Sequence, residues 1–461
     1  MVAPVRTSVQ PVEVVKIDKW DIFERHLEII YCVDQFTFST KVFYHDISFS
    51  ELISSYSQAI INQIAAHIAL FEGMKFCSLF PKYYDISTVA EHLSPNGIDI
   101  FLEVYKGVFA QHRYENSVED YAGPQIVYPH RDLGQCQTSE ILSWSSVVLT
   151  GCGGGKDSVL AMKILESAAV PFASLQYSHS VYGKAKTQHD LIADALECAI
   201  PINKHHISIY DDFADYPFIP LYFPENSGIT APETPVSVFE SLFVALNEGY
   251  RYLCFAHERS ANTGNLYWRE GDCEVNHQWG KSFTAELLLN RYIQENLLSN
   301  FTYFSILQPL YDFRIFKNLS RYPVVLPKIH SCNVQKPWCK KCAKCAYVWL
   351  GLMATFPSEH VNSIFKKNLF DDPDLLQIFK QLLGLDRHTP FECIGEIDES
   401  RLNMKKCLEK GLSGQVLDLF QKTILTDQSI DWQEIEQRYD RVYETDHSIP
   451  DWIFDKIKIL L

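Results

Sequence analysis

Several absences narrow what this chain can be. It has no excess of basic residues: 41 Lys and Arg stand against 57 Asp and Glu, a formal charge of −16. Affinity for a phosphate polymer comes largely from Lys and Arg releasing counterions, so this balance works against nucleic acid and favours small-molecule partners. Long apolar runs are also missing. The longest, "AYVWLGLMATF", is about half of the roughly 20 residues that a membrane-spanning helix needs, so no membrane partner is expected. The opening, "MVAPVRTSVQPVEVVKIDKW", is mixed and Pro-interrupted; it does not join a basic start to an apolar run and a cleavage site, and a cytosolic protein is expected. No internal repeat or low-complexity tract is visible. A composition of 47% hydrophobic and 21% charged residues is that of a globular protein rather than a disordered one.

At 461 residues the chain exceeds one ordinary core, and three portions can be distinguished. Residues 1–140 read as an α+β domain, with "LEIIYCVDQFTFSTKVFY" as a hairpin and "SELISSYSQAIINQIAAHIALF" carrying apolar residues at helical spacing. No chemistry is apparent there. Polar "PHRDLGQCQTSE", Pro129 to Glu140, reads as a linker. Over 141–325 strand and helix patterns alternate: "SSVVLTG", "DSVLAMKILESA", "FASLQYS", "QHDLIADALECA", "HHISIYDD", "SVFESLFVALNEGY", "RYLCFAH". That rhythm predicts a doubly wound α/β domain, a parallel sheet with helices on both faces and ligands beyond the carboxyl ends of its strands. Residues 326–461 hold a cysteine cluster and helical segments.

The stretch "VVLTGCGGGKDSVLAMKIL", Val147 to Leu165, looks like a phosphate loop but fits neither common pattern. A Walker loop would need Gly at Thr150 and Ser or Thr at Asp157; a dinucleotide fingerprint starting at Gly151 meets Lys156 in place of its third Gly. What remains is a strand running into Gly153, Gly154 and Gly155, then a helix opening with Lys156, Asp157 and Ser158. Glycines let backbone N–H groups approach an anion, and a helix N-terminus adds partial positive charge. Lys156 suits phosphate, Ser158 can donate to it, and Asp157 suits Mg²⁺. The bland alternative is a Gly-rich turn with an Asp cap.

Four of the 13 cysteines fall in "SCNVQKPWCKKCAKC", with two residues between each of Cys339, Cys342 and Cys345, and Cys332 upstream. Four thiols so close in a reducing compartment suit a closed, structural Cys₄ zinc site. An iron–sulfur cluster would use the same ligands, and four unligated cysteines are the plain alternative. Polar loops follow the strand "RYLCFAH": "HERSANTGN" (His257 to Asn265) and "VNHQWGKS" (Val275 to Ser282); "RHTPFECIGEID" (Arg387 to Asp398) sets Glu392 and Cys393 among apolar residues. Each reads equally well as a surface loop or turn.

Taken together these segments carry a resemblance. "GGGKDS" resembles the S-G-G-x-D-S loop of the PP-loop, or N-type ATP pyrophosphatase, family, with Gly153 in the place of the usual Ser. The order "GGGKDS", "ERSAN", "VNHQWGKS", "SCN" with "WCKKCAKC", and "TPFECIG" is similar to the ATP-dependent epimerases that act on UDP-N-acetylmuramoyl-L-alanyl-L-glutamate. The resemblance implies a peptide or UDP-sugar-peptide substrate whose terminal L-glutamate is inverted. It implies ATP and Mg²⁺, adenylation of a carboxylate, and release of AMP and pyrophosphate. Candidates for acid and base are His277, Lys281, Glu392 and Cys393. Glu258 and Arg259 suit Mg²⁺ or the substrate carboxylates, and Asn262 and Asn276 with Arg259 suit the glutamate or the adenylate. Two rival readings stay open: an adenylating enzyme that forms an amide or nitrile, and a zinc-stapled nucleotide sensor without catalysis.

Overall fold

The computed structural model describes residues 12–461 except 130–132, 135–137, 143, 183, 217–218 and 223–228. The linker expected at 129–140 thus lies partly outside the described residues. Twelve strands are formed among those described: β1 Val14–Ile22, β2 His26–Val33, β3 Phe36–Tyr44, β4 Tyr83–Asp85, β5 Gln125–Val127, β6 Ser145–Cys152, β7 Phe172–His179, β8 Lys204–Asp211, β9 Tyr250–Phe255, β10 Leu266–Trp268, β11 Cys273–Val275 and β12 Thr302–Ser305. Ten make one sheet in the order β12-β9-β6-β7-β8-β3-β2-β1-β4-β5, while β10 and β11 pair as a separate antiparallel ribbon.

From β12 to β8 the strands are all parallel. Helices Lys156–Ser167, Ala185–Leu196, Glu233–Glu248 and Phe283–Asn296 intervene along the chain. Side chains of a strand alternate between faces, and this divides β6. Val147 and Leu149 enter a core shared with the N-terminal portion; Val148 and Cys152 enter a second core shared with the C-terminal helices. The result is a mixed α/β fold with a mostly parallel sheet and a helical C-terminal region.

The sheet does not stop where the parallel strands do. β3 pairs antiparallel with β8, setting Thr40 opposite Asp211 and Tyr44 opposite Ile207, so the hairpin strands β1–β3 extend the same sheet. β6 lies between β7 and β9. The chain winds one way to β7 and β8, then crosses to β9 and β12. The crevice beyond the carboxyl end of β6 is therefore the switch point at which such sheets bind ligands, and the glycine loop begins there. Among the described residues no helix is long and apolar enough to cross a membrane.

Candidate functional site

β6 ends at Cys152 and, after the three glycines Gly153 to Gly155, helix Lys156–Ser167 begins. Between them Gly154 has a φ of 75°. A Cβ there would lie 2.3 Å from His330 Nε2, so both conformation and space demand glycine. The His330 amide donates to the Gly154 carbonyl at 2.9 Å, and the Lys156 amide donates to Ser331 Oγ at 3.4 Å. Residues 330–331 thus brace the loop. At Gly153 a Cβ would meet nothing within 4 Å, so the residue found there leaves open room beside the turn. Ser158 Oγ donates to the Gly155 carbonyl at 3.2 Å.

Lys156 is fully buried and donates to Asp157 Oδ1 at 2.6 Å and to Asp312 Oδ1. Burial alone would lower its pKa, but Asp157, Asp312 and Glu258 outweigh burial and raise it. Glu258, only 2% exposed, is pushed up to about 7 by burial and by the charges of Asp157 and Asp312. Its Oε1 is buried without a hydrogen-bond partner. One ammonium facing three carboxyl groups leaves negative charge to neutralise, so this all-oxygen donor set fits a hard divalent cation. Asp312 gave no signal in the sequence; it simply opens the helix Asp312–Leu319.

Three distant segments build a second group of side chains. The turn Trp279–Lys281 follows the β10–β11 ribbon, and Lys281 Nζ donates to Cys393 Sγ at 3.0 Å. Burial pushes the Cys393 thiol up, but Lys281, His277 and Lys344 together hold it well below the usual thiol range. Lys344 also donates to the Cys393 carbonyl. Lys281 is itself raised: burial opposes its charge, and Cys393, Glu258 and Asp157 override burial. The same ammonium therefore feels both Cys393 and the glycine-loop carboxylate. His277 Nδ1 lies 2.6 Å from Gln111 Oε1. Glu392 is raised by burial and by Cys342 and Cys393, and its Oε2 accepts from Asn333 Nδ2 at 3.0 Å.

Glu233 joins this group without having been anticipated. It starts the helix Glu233–Glu248, whose first turn abuts Gly280: a Cβ on Gly280 would lie 3.2 Å from Pro235 Cδ. Glu233 keeps access to solvent, yet the surrounding protein and Cys393 push its carboxyl to about 7 against the pull of Lys281 and His277.

Three further candidates are Arg259 and Asn262, half-buried, and Asn276, buried. Arg259 donates to Asp446 Oδ2 at 3.1 Å and lies 3.9 Å over the Tyr443 ring, while its Nη1 is buried without a partner. Asn262 donates to Gln308 Oε1 at 3.1 Å and accepts from the Phe283 amide at 2.7 Å. Asn276 donates to the Ala261 carbonyl at 2.9 Å and accepts from the Gln278 amide at 2.8 Å. Both asparagines are engaged in holding loop backbone.

The four cysteines converge. The sulfurs of Cys332, Cys339, Cys342 and Cys345 all lie within 4.8 Å of one another. Two pairs, Cys332 with Cys342 and Cys339 with Cys345, stand at 3.8 Å. A tetrahedron with metal–sulfur bonds of about 2.3 Å has edges of about 3.8 Å. Backbone amides of Gln335, Lys340, Lys341 and Cys345 point at the sulfurs at 3.3–3.4 Å, as the orienting contacts of a metal centre do.

A family model described as the MurL N-terminal domain matches residues 230–306, and one described as the MurL C-terminal domain matches 328–430. The chain is 27% identical over 323 residues to the UDP-N-acetyl-alpha-D-muramoyl-L-alanyl-L-glutamate epimerase of Salinispora tropica, covering 67% of this chain and 65% of that one. It is 31% identical over 269 residues to the protein of the same name from Micromonospora sp., 55% of each chain. With that of Xanthomonas oryzae pv. oryzae the identity is 30% over 268 residues, 56% of this chain and 55% of the relative. Both comparisons support the MurL family. The alignments span from about half to two thirds of the relatives' lengths. The MurL models cover Glu258 to Lys281, the cysteine cluster and Cys393; the glycine loop and Gln111 lie outside both. No solved structure matches the chain.

Proposed function

We propose that this chain is an ATP- and Mg²⁺-dependent epimerase of the MurL type, which inverts the terminal L-glutamate of UDP-MurNAc-L-Ala-L-Glu. In this reading Gly153 to Ser158 form a PP-loop, Asp157 with Glu258 holds Mg²⁺, and the four cysteines hold a structural Zn²⁺. One observation carries the proposal: the half-buried Lys281 is paired with the Cys393 thiol and is also within the field of Asp157. A nucleotide loop and an acid–base centre thus share one ammonium.

Inverting one centre in a peptide is close to thermoneutral, so ATP serves the barrier. A free carboxylate resists loss of its α-proton because a second negative charge would form beside the first. Adenylation removes that charge and turns the carbonyl into an electron sink. The chain's own residues then move protons. Cys393, whose thiol Lys281 and His277 hold well below its usual range, and His277 beside it are suited to take and return the α-proton. Lys281 stabilises negative charge as it develops. Glu392, raised by its burial, can carry a second proton. Hydrolysis of the adenylate completes the cycle.

The test is solvent isotope exchange. Incubation of UDP-MurNAc-L-Ala-L-Glu with ATP and Mg²⁺ in D₂O is expected to give AMP, pyrophosphate and D-glutamyl product with deuterium at Cα. AMP release into a new amide or nitrile without deuterium would replace the epimerase by the amide-forming alternative. ATP binding with no pyrophosphate release would favour a sensor.

A further inference from the structure

The N-terminal portion carries no recognisable motif, yet it reaches the Cys393 group through one side chain. The helix Ala110–Glu115 packs on the β10–β11 ribbon and on the turn that holds Cys393: Tyr114 lies 5.9 Å from the Trp268 ring and 5.8 Å from the Phe391 ring. This packing brings Gln111 Oε1 to 2.6 Å from His277 Nδ1. On its other side Gln111 Nε2 donates to Glu115 Oε1 at 3.1 Å.

The chemistry of these contacts fixes the direction of each. A carboxylate only accepts, so the Gln111 NH₂ must face Glu115, which leaves the carbonyl oxygen facing His277. A carbonyl also only accepts, so His277 Nδ1 must carry a hydrogen. In the neutral ring the lone pair is then on Nε2. The nitrogen able to take a proton from a thiol is thereby the one not bound to Gln111.

We propose that Gln111 is a positioning residue of the site: it fixes the tautomer and direction of His277, so that Cys393 and His277 share one proton across Nε2. The order thiol, imidazole and fixed carbonyl is that of a nucleophile–base–orienter triad. The groups that act on Cys393 in this arrangement are Lys281, His277 and Lys344, with Glu392 next to it in the chain and Glu233 within its field. The proposal rests on Cys393 and His277 forming the acid–base pair of the reading above, but it can be tested without turnover, so the two can fail separately.

The readout is the rate of Cys393 alkylation by iodoacetamide as a function of pH, followed on its peptide by mass spectrometry in the full-length protein. Gln111→Met keeps the side chain's length and removes the acceptor. Gln111→Glu replaces the acceptor by a stronger one. For Q111M the acid limb of the profile should move up by about one pH unit, which lowers the rate on that limb about ten-fold. For Q111E it should move down. Opposite displacements are not what a packing role would give. Superimposable profiles for wild type and both variants would overturn the proposal. Should Q111M fail to fold, Q111E alone decides: an unmoved limb overturns the proposal, a downward shift upholds it.

Discussion

Lys75, buried, and Lys281, half-buried, both sit among anions, and the contrast between them separates architecture from chemistry. Lys75 Nζ donates to Glu72 Oε2 and Asp211 Oδ1, each at 2.6 Å, and to Thr40 Oγ at 3.0 Å. Its three protons are matched, and every member of the set is almost wholly buried. Lys281 has, among the described residues, one hydrogen-bond partner for its ammonium, Cys393 Sγ, and both side chains border solvent. In the first network the ammonium is saturated and the whole set is shut off from solvent, although Glu72 Oε1 and Asp211 Oδ2 are buried without a hydrogen-bond partner. The second has donors to spare, a polarised thiol and access. Burial of charge alone marks neither as functional; unsatisfied capacity next to solvent does.

The Lys75 network has the composition of a metal site without its chemistry. Glu72, His179 and Asp211 could supply three ligands, but the Val181 amide donates to His179 Nδ1 at 3.2 Å. The ring proton is therefore on Nε2, which lies 3.3 Å from Asp211 Oδ2 without meeting hydrogen-bond geometry. With Lys75 already in the middle, the set is an ionic staple. It ties the helix Gln58–Glu72 and strand β3 to strands β7 and β8.

Removing each ammonium should pull these two networks apart. Lys281→Met is expected to slow α-proton exchange by about 10²- to 10⁴-fold, the range for loss of a positioned acid–base or electrostatic group, while costing less stability than loss of the Lys75 ammonium. The reason is that a thiol deprived of its partner regains a proton at almost no cost near pH 8. Deuterium incorporation and urea midpoints, measured on the same preparation, check both halves. Lys75→Met leaves carboxylates in a dry interior, where breaking a buried pair typically costs about 3–5 kcal/mol. Equal loss of stability in both variants would erase the distinction drawn between them.

A smaller effect is expected at the loop. Gly154→Ala forces a side chain into φ 75° and onto the His330 ring. The backbone strain costs about 1 kcal/mol, with the collision added to it. His330→Ala should recover the second part and not the first. A double-mutant cycle on thermal midpoints and ATP affinity measures this coupling; independent, additive effects would mean that His330 does not brace the loop.

How far the sequence could be read follows from the range of the forces involved. Alternating strand and helix over 145–255 is a local pattern, and the parallel strands formed where it placed them. The cysteine spacing is local too, and its four sulfurs converge. Gln111 and Asp312 were not legible, because nothing in their neighbourhoods distinguishes them; each matters only through a contact made across the fold, with His277 and with Lys156. The junction of β3 with β8 is of the same kind. It joins Thr40 to Asp211 across 171 residues, a distance over which hydrophobic periodicity carries no information. The portion that offered no motif thus supplies both the staple and Gln111.

The gentlest distinction between the two networks is in their dependence on pH. The folded Cys393 thiol is held below its ordinary value, chiefly by Lys281 against the opposing effect of burial. A group whose folded pKa is depressed stabilises the fold above its unfolded value, about 8.5 for a thiol, and loses that contribution as pH falls through the folded value. The stability difference between wild type and Cys393→Ser should therefore be largest near pH 9 and shrink steadily on acidification. In a Lys281→Met background the thiol titrates closer to its unfolded value, so the same difference should be nearly flat over that range. Urea midpoints from pH 5 to 9 for the four proteins measure it. A difference that grew on acidification would mean the sulfur is buried as a neutral thiol, and the contrast with the Lys75 staple would then rest on access alone.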